Sequence, residues 1–154
     1  MTNDTGNPQA TNVVVMDRGN VHLTTKKIET VANMYAGVVV MKGTNDDDIV
    51  VSDGTQGTAA GWLGYEDTTK KYRPATISTI YVVNDKATVV TGPGTKIRAF
   101  LLSGQTVTEG THLMVAAAGH LSGATVGTHG VIAIAEESIA STSALTPIMV
   151  RSMI

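Results

Sequence analysis

The sequence predicts an all-β protein: a compact β-barrel or sandwich of many short strands, preceded by a flexible N-terminal arm. Three observations carry this. Short β-branched runs recur between turn signals, at the spacing of roughly 8–12 residues typical of sandwiches and barrels. Charged residues make up only 16% of the chain against 42% apolar, so Thr, Ser, Asn and Gly must supply the polar surface, which suits strands better than surface helices. Residues 76–83 alternate, with Ile77, Thr79, Tyr81 and Val83 on one side and Ser78, Ile80 and Val82 on the other.

At 154 residues the chain fits one domain. Residues 1–16 read as the arm and 17–154 as a single β-rich domain, with 96–154 a barrel-like C-terminal part. Residues 1–12 are polar and contain Gly6 and Pro8, a composition that cannot contribute to a core. Val13-Val14-Val15-Met16 follows at once and is suited to pairing with a sheet edge, its own or a neighbour's. These four residues are the candidate contact site. The start of the chain has neither a basic region nor an apolar core, so it does not read as a secretory signal. No apolar run reaches the roughly 20 residues that span a bilayer, so no membrane partner is expected.

Further along, residues 24–35 place Ile28, Val31 and Tyr35 at helical spacing, but Thr24, Thr25, Thr30 and Val31 are poor helix formers. An extended segment is the favoured reading. Strands are expected at Val38-Val39-Val40-Met41, at Ile49-Val50-Val51 and at the glycine-bounded Gly61-Trp62-Leu63-Gly64-Tyr65. Residues 66–74 read as an exposed loop. Asn84-Asp85 is a hairpin-type turn into residues 86–90. In the C-terminal part, residues 97–102, 111–116 and 148–154 read as strands. Gly130-Val131-Ile132-Ala133-Ile134-Ala135 has the continuous apolar character of a strand buried on both faces. The final strand is apolar enough that it must be tied into a sheet, and it reads as the closing edge of the barrel.

The chemistry-bearing residue types form no complete catalytic or metal pattern. The absence of cysteine removes disulfides, thiol nucleophiles and thiolate metal sites. Gly92-Pro93-Gly94-Thr95-Lys96 inverts the Gly-Lys-Thr order of a phosphate loop and leads into a strand; Pro93 and Gly94 instead fit the centre of a type II turn. Asn45-Asp46-Asp47-Asp48, with Asp53 nearby, offers oxygen ligands to a hard cation, but it lacks EF-hand spacing, and Asp-rich turns are common. His22, His112, His120 and His129 never adopt a ligand spacing, although His112 and His120 are placed to approach across a hairpin. Glu136 and Glu137 are adjacent on extended chain and point apart. No enzyme activity, cofactor or small-molecule substrate is therefore expected. The net charge of −2 and the scattered basic residues, with no run longer than Lys26-Lys27 or Lys70-Lys71, give no drive towards nucleic acid.

Within residues 96–154, the succession of a strand, Ser103-Gly104-Gln105-Thr106-Val107-Thr108-Glu109-Gly110-Thr111-His112-Leu113, a second strand, Ala118-Gly119-His120-Leu121, Gly130-Val131-Ile132-Ala133-Ile134-Ala135 and Pro147-Ile148-Met149-Val150 resembles the capsid decoration, or cement, proteins of tailed bacteriophages. The resemblance covers the last sixty or so residues well and the first hundred loosely, and its motif is glycine and apolar spacing. It implies a compact β-tulip-like barrel that assembles as a trimer on the exterior of the virion head, made in the host cytoplasm. The implied partners are the major capsid protein and further copies of this chain, with residues 1–16 as the capsid-contacting arm. Biotinyl or lipoyl carrier domains share the turn pattern but need an acceptor Lys, which Ala116-Ala117-Ala118-Gly119 lacks. An alternative of a different class is a carbohydrate-binding or adhesive β-module that uses Trp62 and Tyr65.

Overall fold

The apolar runs of this chain become short strands wound into two five-stranded barrels, and the largest buried side chain lies where the barrels meet. The computed structural model describes residues 14–16, 21–65, 80–140 and 144–154. Among them there is no α-helix; a single 3₁₀ turn spans Ala117–Gly119. The strands are β1 (Val14–Met16), β2 (His22–Ile28), β3 (Val39–Lys42), β4 (Asp48–Val51), β5 (Ala59–Leu63), β6 (Lys86–Thr91), β7 (Lys96–Leu101), β8 (His112–Val115), β9 (Leu121–Gly123), β10 (Ala133–Ala135) and β11 (Thr146–Ser152).

The first barrel closes in the order β2-β4-β3-β5-β6. Its pairings are antiparallel except β2 with β4, where Lys27 and Ile28 run parallel to Asp48 and Ile49. The second runs β7-β11-β10-β8-β9 and closes through a parallel contact of Leu101 with Leu121. Strand β1 adds to the first half of β7, which β9 leaves uncovered, with Val14 opposite Ile97 and Met16 opposite Lys96.

Period-two alternation explains how the barrels share a core. Val38, Val40, Leu63 and Val89 fill the first barrel with Ile28, Met34, Ile49, Tyr81 and Ala87. Their chain neighbours Val39, Trp62 and Val90 point the other way and join the core of the second barrel, with Ile97, Ala99, Leu101, Leu113, Leu121, Ile148 and Val150. Strands β3, β5 and β6 are thus buried on both faces, which is why their apolar residues run consecutively. One interaction marks the junction: Trp62, fully buried, donates its indole N–H to Ser152 Oγ at 3.1 Å. The hydroxyl in turn donates to Ile154 O at 2.7 Å.

Gly92-Pro93-Gly94-Thr95 connects the barrels as the type II turn its sequence predicts. Gly94, at the second central position, has φ 89°, and Thr95 N donates to Gly92 O at 3.3 Å. The C-terminal strand clasps this turn: Gly92 N bonds Ile154 O at 2.8 Å, Gly94 N bonds Ser152 O at 2.9 Å, and Ser152 N bonds Thr95 O at 2.8 Å. On the 3₁₀ turn, Gly119 (φ 68°) donates to Ser52 O, and a Cβ added there would lie 2.5 Å from Val39 O. Only glycine fits so close to the neighbouring barrel.

Several expectations are corrected. Residues 24–35 are extended only to Ile28; the chain then turns, and Asn33 takes positive φ. The alternation through residue 83 does not give a strand in its described part, residues 80–83. Tyr81 is drawn into the first barrel and donates its hydroxyl to Gly64 O at 2.9 Å, while Ile80, Val82 and Val83 stay exposed. The aromatic strand starts before its first glycine, at Ala59, and keeps Gly61 inside at a register slip. In the run 130–135 only Ala133–Ala135 is strand, and Ile134 is partly exposed between buried alanines. Strand β11 does not form the closing edge of its barrel. It lies between β7 and β10, and a six-residue register with β7 buries Ile148, Val150 and Ser152.

The buried indole and its hydroxyl partner set an expected cost for their removal. Trp62→Ala should lower the unfolding free energy by about 3–5 kcal/mol, the range for truncating a large core aromatic. Ser152→Ala, which leaves the indole N–H without its acceptor, should cost about 1–3 kcal/mol. Denaturant unfolding of both variants checks the ranking.

Candidate functional site

Of the predicted contact residues, Val14, Val15 and Met16 form β1, and Val13 lies outside the described residues. The edge that β1 uses is this chain's own, on β7. Among the described strands, none pairs with its outer edge.

The acidic turn is occupied by this chain's own lysines. Lys42 Nζ lies 2.6 Å from Asp46, Lys26 Nζ 3.4 Å from Asp47, and Lys27 Nζ 3.1 Å from Asp48. Asp48 is buried and also accepts from the Asn45 amide at 2.6 Å. That hydrogen bond and Lys27 hold its carboxyl below the ordinary value of 3.8. Asp53 belongs to a separate turn and accepts from Thr55 N at 2.8 Å. Among the described residues no three His, Asp or Glu side chains gather into a possible metal site.

The hairpin register sets the histidines apart. Val115 faces Leu121 and Met114 faces Ser122, so the chain opposite His112 is at Ala124, whose N–H bonds His112 O at 2.8 Å. His129 accepts from Thr125 N within its own turn. Glu136 sits between Lys96 at 2.8 Å and Arg151 at 3.3 Å, and Glu137 accepts from Met149 N at 2.7 Å. The two carboxylates thus serve different partners.

Trp62 and Tyr65 are 0% and 5% exposed. Both belong to the shared core, so neither presents a ring face to a sugar, and the carbohydrate reading built on them is overturned. Two other aromatic residues among those described do reach the surface. Tyr35 and Phe100 pack edge to face, with ring centroids 5.3 Å apart, and with Asn33, His120 and Leu145 they line a seam pocket of about 440 Å³. Tyr35 and His120 lie 85 positions apart, so no local pattern could have united them. A second cluster is apolar. Segments 28–34 and 81–84 run side by side through Tyr81 N to Met34 O and Asn84 N to Ile28 O. Val31, Val82 and Val83 lie exposed along them, next to Ile80.

No protein-family model matches this chain, and none of the curated proteins matches it in sequence. Solved structures do match in fold. One is the head fiber gp8.5 N base of bacteriophage phi29, with a TM-score of 0.53 and 12% identity, over 86% of this chain and 94% of that one. At that identity the likeness is one of fold. It extends across both barrels rather than the C-terminal part alone.

The buried Asp48 carboxylate, with its partly exposed partner Lys27, sets a directional expectation for acid. Because the folded carboxyl binds its proton less readily than the unfolded one, its contribution is complete above 3.8. It drains away as pH falls through the folded value. Asp48→Asn should therefore be less stable than the parent at neutral pH, and the gap should narrow below pH 3.8. Thermal unfolding of both proteins across that range is the measurement.

Proposed function

We propose that this chain is a structural protein of a tailed-phage head, bound to the capsid exterior as a cement or decoration subunit, and that it carries no catalytic activity. The observation that supports this most directly is the two-barrel fold, which matches the phi29 head fiber gp8.5 N base over nearly all of that chain. The C-terminal grammar that resembles cement proteins adds to it. In this reading residues 1–16 are the contacting arm, and β1, its inner end, is fixed to β7. The major capsid protein is the partner, and a repeating lattice multiplies modest individual contacts into firm attachment.

A trimer is the proposed assembly. Its support is the exposed apolar group Val31, Ile80, Val82 and Val83, at 39%, 48%, 63% and 43% exposure. On a surface with so few charges, such a group is better explained by a subunit contact than by solvent.

Purified protein added to bare expanded capsids is expected to bind saturably. Removing residues 1–12 should weaken that binding by about tenfold or more, equivalent to at least 1.4 kcal/mol, and leave the melting temperature unchanged. Undiminished binding by the shortened chain would end the arm hypothesis. A copy number that is not a multiple of three on saturated capsids would end the trimer.

A further inference from the structure

The seam pocket contains a buried histidine whose surroundings make no provision for charge. His120 directly precedes β9, where Leu121 points into the C-terminal core, so alternation puts the imidazole on the outer wall of that barrel. There it meets the first barrel: the Tyr35 hydroxyl lies 2.5 Å from His120 Nε2. The histidine is 8% exposed, and its Nδ1 is buried with no hydrogen-bond partner.

We propose that the Tyr35–His120 contact is a pH-sensitive latch between the two barrels, closed while the imidazole is neutral and released when it takes up a proton.

A neutral imidazole has one donor and one acceptor nitrogen, and Tyr35 satisfies one of them. An imidazolium has two N–H donors and a full charge, so it would bury an unmet donor and an uncompensated cation together. Among the described residues, the elements packed around it offer no compensation. Loop 31–37 contributes Asn33 and Tyr35, both uncharged. Strand β7 contributes Phe100 and, two positions back on the same outer face, Arg98, whose charge has the wrong sign. The loop that packs on the 3₁₀ turn through Gly54 carries Asp53, whose carboxylate is engaged by Thr55 N. Leu145 is apolar. Burial is the cause that holds the imidazole below its ordinary value of 6.5, and no carboxylate opposes it.

The sign follows from that depression. The closed seam binds the proton less readily than the opened one, so closure is fully favoured above 6.5 and weakens as pH falls through the folded value. What loosens is the local contact set around the 3₁₀ turn, including the Gly119 N–H to Ser52 O bond of 2.8 Å. The latch does not depend on what the protein assembles with.

The test uses the whole chain. Side-chain nuclear magnetic resonance follows the protonation of His120 directly, and hydrogen exchange at the Gly119 amide, corrected for the intrinsic pH dependence, follows the seam. His120 is expected to stay neutral as pH drops past 6.5 and to protonate only as Gly119 opens. The opening constant should rise up to about tenfold for each unit of pKa depression. His120→Asn should remove the pH-dependent part of that rise. If this variant does not fold, the parent protein's two titrations decide alone. Protonation of His120 near 6.5 with no change in Gly119 exchange would overturn the latch. So would an equal acid-driven rise in Gly119 opening in His120→Asn.

Discussion

The contact between Trp62 and Ser152 is the constraint on which the rest of this fold depends. A large aromatic ring buries more apolar surface than other side chains, but a buried indole N–H needs an acceptor. Here the acceptor is a hydroxyl 90 positions away, on the strand that also clasps the interbarrel turn. The two requirements, apolar cover for the ring and an oxygen for its nitrogen, are met only when β11 is seated between β7 and β10 against β5. The orientation of one barrel on the other is thereby set by a polar contact inside an apolar interface. Hydrophobic burial alone has no direction and would tolerate several arrangements.

Much of the fold was legible because it is written locally. Glycine and proline marked the interbarrel turn, and its type followed from which central position needs positive φ. Strand identity was legible in the β-branched runs for the same reason: each run is short and bounded by turn residues. What could not be read was closure. The parallel contacts that complete the barrels, β2 with β4 and β7 with β9, are brief pairings between distant segments with no sequence signature of their own. Strand β11 reads as a terminal edge because it comes last, but spatial order need not follow chain order. Residues 80–83 show a second limit: alternation records which side chains want burial, and Tyr81 satisfies that from irregular chain, without ladder pairing.

The candidate site was less legible still. Trp62 and Tyr65 drew notice because aromatics are scarce here, and scarcity does not distinguish a surface platform from a core anchor. The acidic turn looked ligand-like because lysines 26, 27 and 42 are distant in sequence from some of the carboxylates they neutralise. His120 was noticed in the wrong company. Its partner is Tyr35 across the seam rather than His112 across the hairpin, since the 3₁₀ turn consumes the residues that a tighter hairpin would have paired.

The way β11 is seated also governs the order in which this chain can acquire its structure. Strands β2 to β6 build the whole first barrel from residues 22–91, so it can close as that segment is synthesised, whereas β11 is made afterwards and must then cross back to reach β7. Until it does, the first barrel carries Trp62 on an uncovered outer wall. The chain has a single tryptophan, so its fluorescence would respond to a late docking event, after most backbone pairing in the first barrel is complete. An early intermediate of this protein would be a formed barrel with one sticky face.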